Sequence, residues 1–415
     1  MPVSESFDIA VIGAGPAGAV AAALLLRQGF SVCVLEKQHF PRFVIGESLL
    51  PHCMEFLDEA GFLPALHAEP SFQHKNGAAF TWRDRYTHFD FTDKFSAGPG
   101  TTFQVRRDRF DHILIREAAK QGADVRFGCE VCAFDNTGEH ARLNVLPEHG
   151  AAYALTARFV LDASGYGRVL PRLLDLDTPS ALPVREAHFT HIDDHITAAD
   201  FDRDKILIST HSTRRDVWLW LIPFADGRSS IGVVGLPERF IGQDSETALK
   251  NAVANVPMLQ RILADAVWDN GVPFRRIGGY SANVKALHGK HFALLGNAAE
   301  FLDPVFSSGV TIAMHSAKLA ADLLGKHLRG KAADWQREFA EPLMVGVETF
   351  RTYVNGWYDG RFQDVIYAPS RNADISRMIA SVLAGYAWDT ENPFVDKAER
   401  RLNALAQMVG RQDGD

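Results

Sequence analysis

Apolar and polar residues divide the chain into stretches of three different periods. Phe7 to Ile12 is a short, almost continuous apolar run, which reads as a buried strand. It runs into Gly13-Ala14-Gly15-Pro16-Ala17-Gly18, then into an Ala/Leu-rich segment of helical spacing that stops at Gly29. A second apolar run, Ser31 to Leu35, ends on Glu36. Further on, Val105 to Asp111 opens a helix reaching about Gln121, and Phe159 to Leu161 is a strand ending in the small-residue turn Asp162-Ala163-Ser164-Gly165. From about Arg172 to Gly289 the pattern changes to strands and hairpin turns. Ile206 to Thr210 and Val217 to Phe224 are strands, Ala225-Asp226-Gly227-Arg228 is a turn, and Ser229 to Val234 returns. Phe292 to Leu295 is one more buried strand. Val310 to about Leu328 then carries Ile312, Leu319, Leu323 and Leu324 at helical spacing, and an aromatic-rich helical tail starts near Lys331.

These alternations predict an α/β chain with a Rossmann-type lobe, a mostly antiparallel sheet lobe inserted between its parts, and a helical C-terminal region. The expected divisions are residues 1–60, 101–171 and 290–330 for the first lobe, 61–100 and 172–289 for the sheet lobe, and 331–415 for the helical cap. The 415 residues are enough for two or three units with sizeable cores.

Charge and cysteine content narrow the partners. A formal net charge of −8 argues against a nucleic-acid surface, which needs clustered Lys and Arg. The uncharged run Ile9 to Leu26 is broken by three glycines and a proline and is preceded by acidic Glu5 and Asp8, so it reads neither as a membrane span nor as a signal peptide. Four cysteines in so long a chain do not make a disulfide scaffold, and a reducing cytoplasm fits best. Cys129 and Cys132 are the one close pair, in a stretch that reads as a strand. His188, His191, Asp193, Asp194 and His195 lie close together, but their spacing matches no metal motif. A polar loop with solvated imidazoles is the expectation there, and no metal site is expected.

The first βαβ unit carries chemistry. Gly13 allows the tight turn, Gly15 lets a pyrophosphate approach the backbone, Gly18 lets helix pack on strand, and Glu36 can accept from ribose hydroxyls; this is the dinucleotide fingerprint in its proper context. A second site begins at the 292–295 strand, in Gly296-Asn297-Ala298-Ala299-Glu300-Phe301-Leu302-Asp303-Pro304-Val305-Phe306-Ser307-Ser308-Gly309-Val310. Asp303-Pro304 initiates a turn, and small residues follow where a helix must begin. A helix N-terminus attracts an anion or an electron-rich carbonyl, although such a start alone does no more than cap a helix. In Trp218-Leu219-Trp220-Leu221-Ile222, period two puts both indoles and Ile222 on one face, which makes either an aromatic core stripe or a rigid wall. Lys75 precedes an aromatic-rich, antiparallel-looking stretch with Trp82, Tyr86, Phe89 and Phe91; a lone lysine there is either a snorkelling surface residue or a buried amine.

Together these segments resemble the flavin-dependent halogenases. The marks occur in order: G-x-G-x-x-G at Gly13 to Gly18, the F-P-R-F…G-E-S-L-L-P loop at Phe40 to Pro51, Lys75, W-x-W-x-I-P at Trp218 to Pro223, and D-P-V-F-S-S-G-V at Asp303 to Val310. The resemblance implies FAD, supplied as FADH2, held by Gly13, Gly15, Ala17, Gly18, Glu36 and Lys37, by Arg42, Ser48, Arg107 and Asp162, and by Gly296, Asn297, Pro304, Ser308, Gly309 and Val310. It implies chloride or bromide at the backbone N–H groups of Ser308 and Gly309, where reduced flavin and O2 convert it to hypohalous acid. Trp218 and Trp220 would keep an aromatic substrate from the flavin, and the hypohalous acid would pass to Lys75, which halogenates the ring. No second dinucleotide fingerprint is present, so a partner flavin reductase is expected.

Four residues depart from the family pattern. Asn297 stands where related flavoenzymes have aspartate, and Phe306 where tryptophan halogenases have glutamate. The missing glutamate points toward a phenolic or pyrrole-type aromatic, free or tethered to a carrier protein. Glu300 and Val44 also differ from phenol halogenases. The rival readings are an FAD-dependent aromatic monooxygenase or geranylgeranyl-reductase-like oxidoreductase on the same scaffold, and a non-catalytic FAD-binding protein.

Overall fold

The structure, a computed structural model, describes residues 5–180 and 182–412. Its first sheet is built around β1 (Glu5–Ile12), whose last four residues are buried on both faces, as expected of a strand central to a parallel sheet. β1 pairs in parallel with β2 (Val32–Glu36) on one side and with the Tyr153–Asp162 strand on the other. Asp124–Phe127 extends the sheet beyond β2, and Phe292–Leu294 extends it beyond Tyr153–Asp162, both in parallel. In the register, Ile12 stands opposite both Leu35 and Asp162, so Gly13, Glu36 and the Asp162 turn gather at one carboxyl edge. That edge is where open α/β sheets bind ligands.

Between β1 and β2 runs helix α1 (Pro16–Arg27), with Pro16 at its first position, where a missing N–H is no loss. It is buried along Ala17 to Leu25 and packs against the Ser308–His327 helix. Gly13 has φ +99°, and a Cβ there would lie 2.6 Å from the Ala163 carbonyl oxygen. At Gly18 a Cβ would collide with the Gly13 carbonyl oxygen, so the glycine is what lets α1 leave the strand at this angle.

The second sheet has the order Arg275–Gly278, Glu186–Asp193, Arg228–Gly235, Trp218–Pro223, Lys205–Thr210, Gly77–Trp82, Arg85–Asp90. All pairings are antiparallel except Lys205–Thr210 with Gly77–Trp82. Both faces are covered. Trp218, Trp220 and Ile222 enter the large core shared with the first sheet. Leu219 and Leu221 enter a smaller one under the Ser245–Ala254 and Pro257–Ile262 helices. The two-sided cover overturns the expectation of solvated imidazoles around His188. The cluster lies mainly in the Glu186–Asp193 strand, with His188 only 2% and His191 7% exposed. Hydrogen bonds from His188 to Glu186 and Ser245, and an Arg203 ion pair to Asp194, satisfy the polar groups instead of water. Among the described residues no group of His, Cys, Asp or Glu could hold a metal ion. Cys129 is buried, Cys132 exposed, and both are free thiols.

Helices Glu341–Tyr358, Arg361–Ile366, Ala373–Leu383 and Ala398–Gln412 form the C-terminal region. Among the described residues no helix is long and apolar enough to cross a membrane.

Candidate active site

A cavity of about 600 Å³ opens at the carboxyl edge of the first sheet and extends to the indole face of the second. Two uncapped helix N-termini meet it. α1 starts from Gly15, and the 20-residue Ser308–His327 helix starts from Ser307; neither has a side-chain cap, so the first N–H groups are free for a ligand. Ser307 adopts φ +55°, a left-handed geometry uncommon for serine, and this bend brings Gly309 and Val310 to the cavity wall.

Most residues expected to hold the cofactor line this space: Gly13, Gly15, Ala17, Glu36 and Lys37 at one end, Arg42, Ser48 and Arg107 along one side, and Gly296, Asn297, Pro304, Gly309 and Val310 along the other. Three do not. Gly18 is a packing glycine beneath the turn. Asp162 is fully buried, and its carboxylate accepts from the Ser164 and Leu170 N–H groups, so it shapes the turn under Gly13. Ser308 lies one residue behind the wall formed by Gly309.

The polar groups suit a dinucleotide. Glu36 accepts from the Ala14 and Gln38 N–H groups, which fixes its carboxylate and leaves it lone pairs for ribose hydroxyls. Arg107 is clamped by Asp111 through bonds of 2.7 and 2.9 Å, and Arg42 reaches the same carboxylate at 3.2 Å. One aspartate thus orients two guanidinium groups at the cavity wall. Arg42 Nε and Asn297 Oδ1 are buried and have no partner within the protein. Groups left in this state at a cavity wall fit a ligand that completes them, and a dinucleotide carries both the acceptor oxygens and the hydroxyl donors that such a pair calls for.

Trp218 and Trp220 both face the cavity, with ring centroids 6.0 Å apart. Their N–H groups point away from it: Trp220 donates to Ser230 Oγ at 3.0 Å, and Trp218 to the Tyr358 hydroxyl at 2.8 Å. Tyr358 in turn donates to Asp303 at 2.9 Å. Burial raises the Asp303 carboxyl to about 6, against the opposing pull of the Arg185 guanidinium.

Lys75 is fully buried and lies outside the cavity lining. Its Nζ donates to Ser48 Oγ at 2.8 Å and to the Leu49 carbonyl at 2.7 Å, with the Phe91 ring 5.5 Å away. Ser48 therefore has the cavity on one side and the amine on the other. Desolvation brings the Lys75 pKa down to about 7, so near neutrality a large fraction is free amine.

Phe306 packs edge-on to Trp357 and against Phe362 in an aromatic nest, where a carboxylate would have no partner. Glu300 pairs with Arg351 at 2.5 Å, and Val44 lines the cavity. Glu47 has no distinguishing signal in the sequence beyond its place in the G-E-S segment, yet its side chain is buried at the cavity wall, held by His191 at 2.9 Å, with its other oxygen free. Nothing in the local pattern pairs Glu47 with a histidine 144 residues away, because the contact is made by docking one lobe on the other.

Fold and cavity together define a dinucleotide-binding flavoprotein of two lobes. The chain matches the FAD binding domain family over residues 6–339. It is 31% identical over 335 residues to a tryptophan 2-halogenase of Chondromyces crocatus, covering 77% of this chain and 61% of that protein. It is 30% identical over 351 residues to a 1H-pyrrole-2-carbonyl-[peptidyl-carrier protein] chlorinase of Pseudomonas fluorescens, covering 76% and 75%. A crystal structure of a flavoprotein/dehydrogenase from Cytophaga hutchinsonii superposes with a TM-score of 0.94 at 43% identity, over 99% of this chain and 100% of that one. The chain belongs to the flavin-dependent halogenase family, within the FAD-binding-domain proteins, and FAD is its cofactor.

Proposed function

We propose that this protein halogenates an electron-rich, phenolic aromatic, with chloride or bromide as the halogen source. When bound and reduced, FAD supplies the two electrons that, with O2, convert halide to hypohalous acid. Arg42 and Arg107 bind the pyrophosphate, and Asp111 fixes both guanidinium groups. The start of the Ser308–His327 helix, with the N–H groups of Ser308 and Gly309, holds the halide at the positive end of the helix dipole. Trp218 and Trp220 close the cavity against an aromatic ring and so disfavour direct oxygenation.

The observation that carries this reading is the buried amine just behind Ser48. The lone pair of neutral Lys75 takes halogen from hypohalous acid with loss of water; the electron-rich ring then attacks that halogen, the nitrogen–halogen bond breaks, and the amine is restored with the proton that the ring gives up. Phe306 removes the base that a poorly activated ring would require, whereas a phenol activates itself. A separate reductase supplies FADH2. The reading covers free and carrier-bound phenols, and a substrate panel should contain both.

The test combines FAD, a flavin reductase, O2, bromide or chloride and that panel, with products read by mass spectrometry. Halogen isotope patterns are expected from the wild type. Lys75→Ala should lose them while flavin reoxidation continues. Product from the variant in undiminished yield would remove Lys75 from the mechanism.

A second reading, an FAD-dependent dehydrogenase or reductase, draws on the 43% identity to the Cytophaga flavoprotein and on the separation of Lys75 from the cavity. Oxygen-independent conversion of substrate by the same preparation, with no halogenated product, would favour it.

A further inference from the structure

Lys75 is fully buried, and among the described residues its Nζ meets two acceptors, Ser48 Oγ at 2.8 Å and the Leu49 carbonyl at 2.7 Å. That number suits a free amine, whose two N–H groups are both taken and whose lone pair stays uncommitted. An ammonium has a third N–H and no acceptor for it. Of the two partners, Leu49 lies outside the cavity lining, whereas Ser48 is part of it. Among the described residues, Ser48 is therefore the one polar group that touches the amine and also faces the cofactor space.

The wall around Ser48 is stiff. The Val105 N–H donates to the Glu47 carbonyl at 2.7 Å and the Leu49 N–H to the Phe103 carbonyl at 3.1 Å, so the backbone on either side of Ser48 is tied to the Thr102–Gln104 strand or its end. Lys75 pairs with Thr102 on the same strand. Serine and amine share one support, and the torsion of the Ser48 side chain is what remains free to turn. The hydroxyl accepts from Lys75, and its own O–H has no acceptor among the described residues. An unfilled donor on a residue 4% exposed at a cavity wall calls for an acceptor inside the cavity.

We propose that Ser48 hands the oxidant from the cavity to Lys75, its hydroxyl donating to the oxygen of hypohalous acid and turning the halogen toward the amine. The inference rests on the halogenase reading and adds to it the residue through which the cavity and the buried amine communicate. The oxygen is the electron-rich end of hypohalous acid and accepts the hydrogen bond; the halogen is the electrophilic end and stays free to meet the lone pair. The nitrogen–halogen bond forms as the oxygen–halogen bond breaks. The departing oxygen takes one proton from the amine, and water returns to the cavity.

The test needs no aromatic substrate. Holoenzyme turns over with a flavin reductase, O2 and bromide, while excess 2-chlorodimedone collects the hypobromous acid that escapes. After gel filtration, 2-nitro-5-thiobenzoate titrates the halogen retained on the protein. Wild type should retain halogen that Lys75→Ala does not. Ser48→Ala should lower the ratio of retained to escaped halogen by roughly tenfold at every pH, as expected for loss of one hydrogen bond to the oxidant, and Ser48→Thr should recover most of it. Were Ser48 only a prop for Lys75, removing an acceptor of the ammonium would leave more free amine and raise retention below pH 7; that result overturns the handover. So does an unchanged ratio in Ser48→Ala, even with weakened FAD binding, which would make Ser48 a cofactor contact alone. Ser48→Cys covers the case in which Ser48→Ala fails to load FAD, because it puts a thiol in the path. Hypobromous acid converts a thiol to the sulfenyl bromide with loss of water, and hydrolysis gives the sulfenic acid and hydrogen bromide. Peptide mass spectrometry should find oxidation at position 48 with bromide and not without it. A thiol that stays reduced there while 2-chlorodimedone is brominated also overturns the handover. A wild type that brominates neither 2-chlorodimedone nor itself removes the halogenase reading and the handover with it, whereas one that brominates both, matched by its Ser48 variants, loses the handover alone.

Discussion

At the scale of single residues, Lys75 is the most informative position, because its burial is a thermodynamic burden that function would explain. Its folded pKa of about 7 lies below its unfolded value, so between those two values the unfolded chain binds more protons and stability rises with pH. The penalty is fully present below pH 7 and is relieved as pH rises toward the unfolded value. Lys75→Met should therefore be more stable than wild type by a margin that narrows by about 2 to 3 kcal/mol between pH 6 and pH 9, read from urea midpoints. The unsatisfied Leu49 carbonyl that methionine leaves behind is a constant offset and cannot mimic the slope. A pH-independent difference would mean that the amine is hydrated in the native state. The sequence indicated Lys75 through its place among neighbouring motifs. Its isolation from the cavity was not legible, because Ser48 comes between them only after the 40–51 loop has folded back on the Gln73–Lys75 strand.

Among elements, the Trp218–Pro223 strand was the most fully readable. Period two put both indoles on one face, and the structure directs them and Ile222 into the cavity. Strands Arg228–Gly235 and Lys205–Thr210 flank it at registers that follow from the hairpin turn and the apolar runs. The Glu186–Asp193 strand was misread for the converse reason. Five polar residues in eight positions look like a loop, and only burial under a helical layer on one side and the cavity core on the other makes them strand residues. The indole wall depends on a neighbour that the sequence does not advertise. Gly232 lies opposite Trp220, and a Cβ there would collide with the distal edge of its six-membered ring. Gly232→Ala should rotate Trp220 or lower stability by about 1 to 3 kcal/mol, as overpacking in a closed core does. Thermal unfolding with tryptophan fluorescence checks both effects; an unchanged spectrum and midpoint would show that the wall yields freely.

For the whole molecule, closure of the site is a property of three distant segments joined by one hydrogen-bonded chain. Trp218 from the sheet lobe donates to Tyr358 at the end of a C-terminal helix, and Tyr358 donates to Asp303 in the turn that precedes the Ser308–His327 helix. The individual motifs were legible, but their connection was not, since Tyr358 carries no local signal beyond aromatic content and lies 140 residues from Trp218 and 55 from Asp303. Tyr358→Phe keeps the ring under Arg185 while removing the hydroxyl. It leaves the Trp218 N–H without its acceptor and Asp303 without its donor, at an expected loss of about 1 to 3 kcal/mol in stability. Because Asp303 would also lose a hydrogen bond that stabilises its ionised form, its protonation should extend to higher pH, moving above the present value of about 6. Should the chain hold the wall and the helix start in register, the variant would waste reductant, releasing more peroxide per halogenated product, most visibly near pH 6 to 7. A stable variant with wild-type coupling across that range would reduce the chain to a packing feature, and the alignment of the lobes would then rest on apolar burial alone.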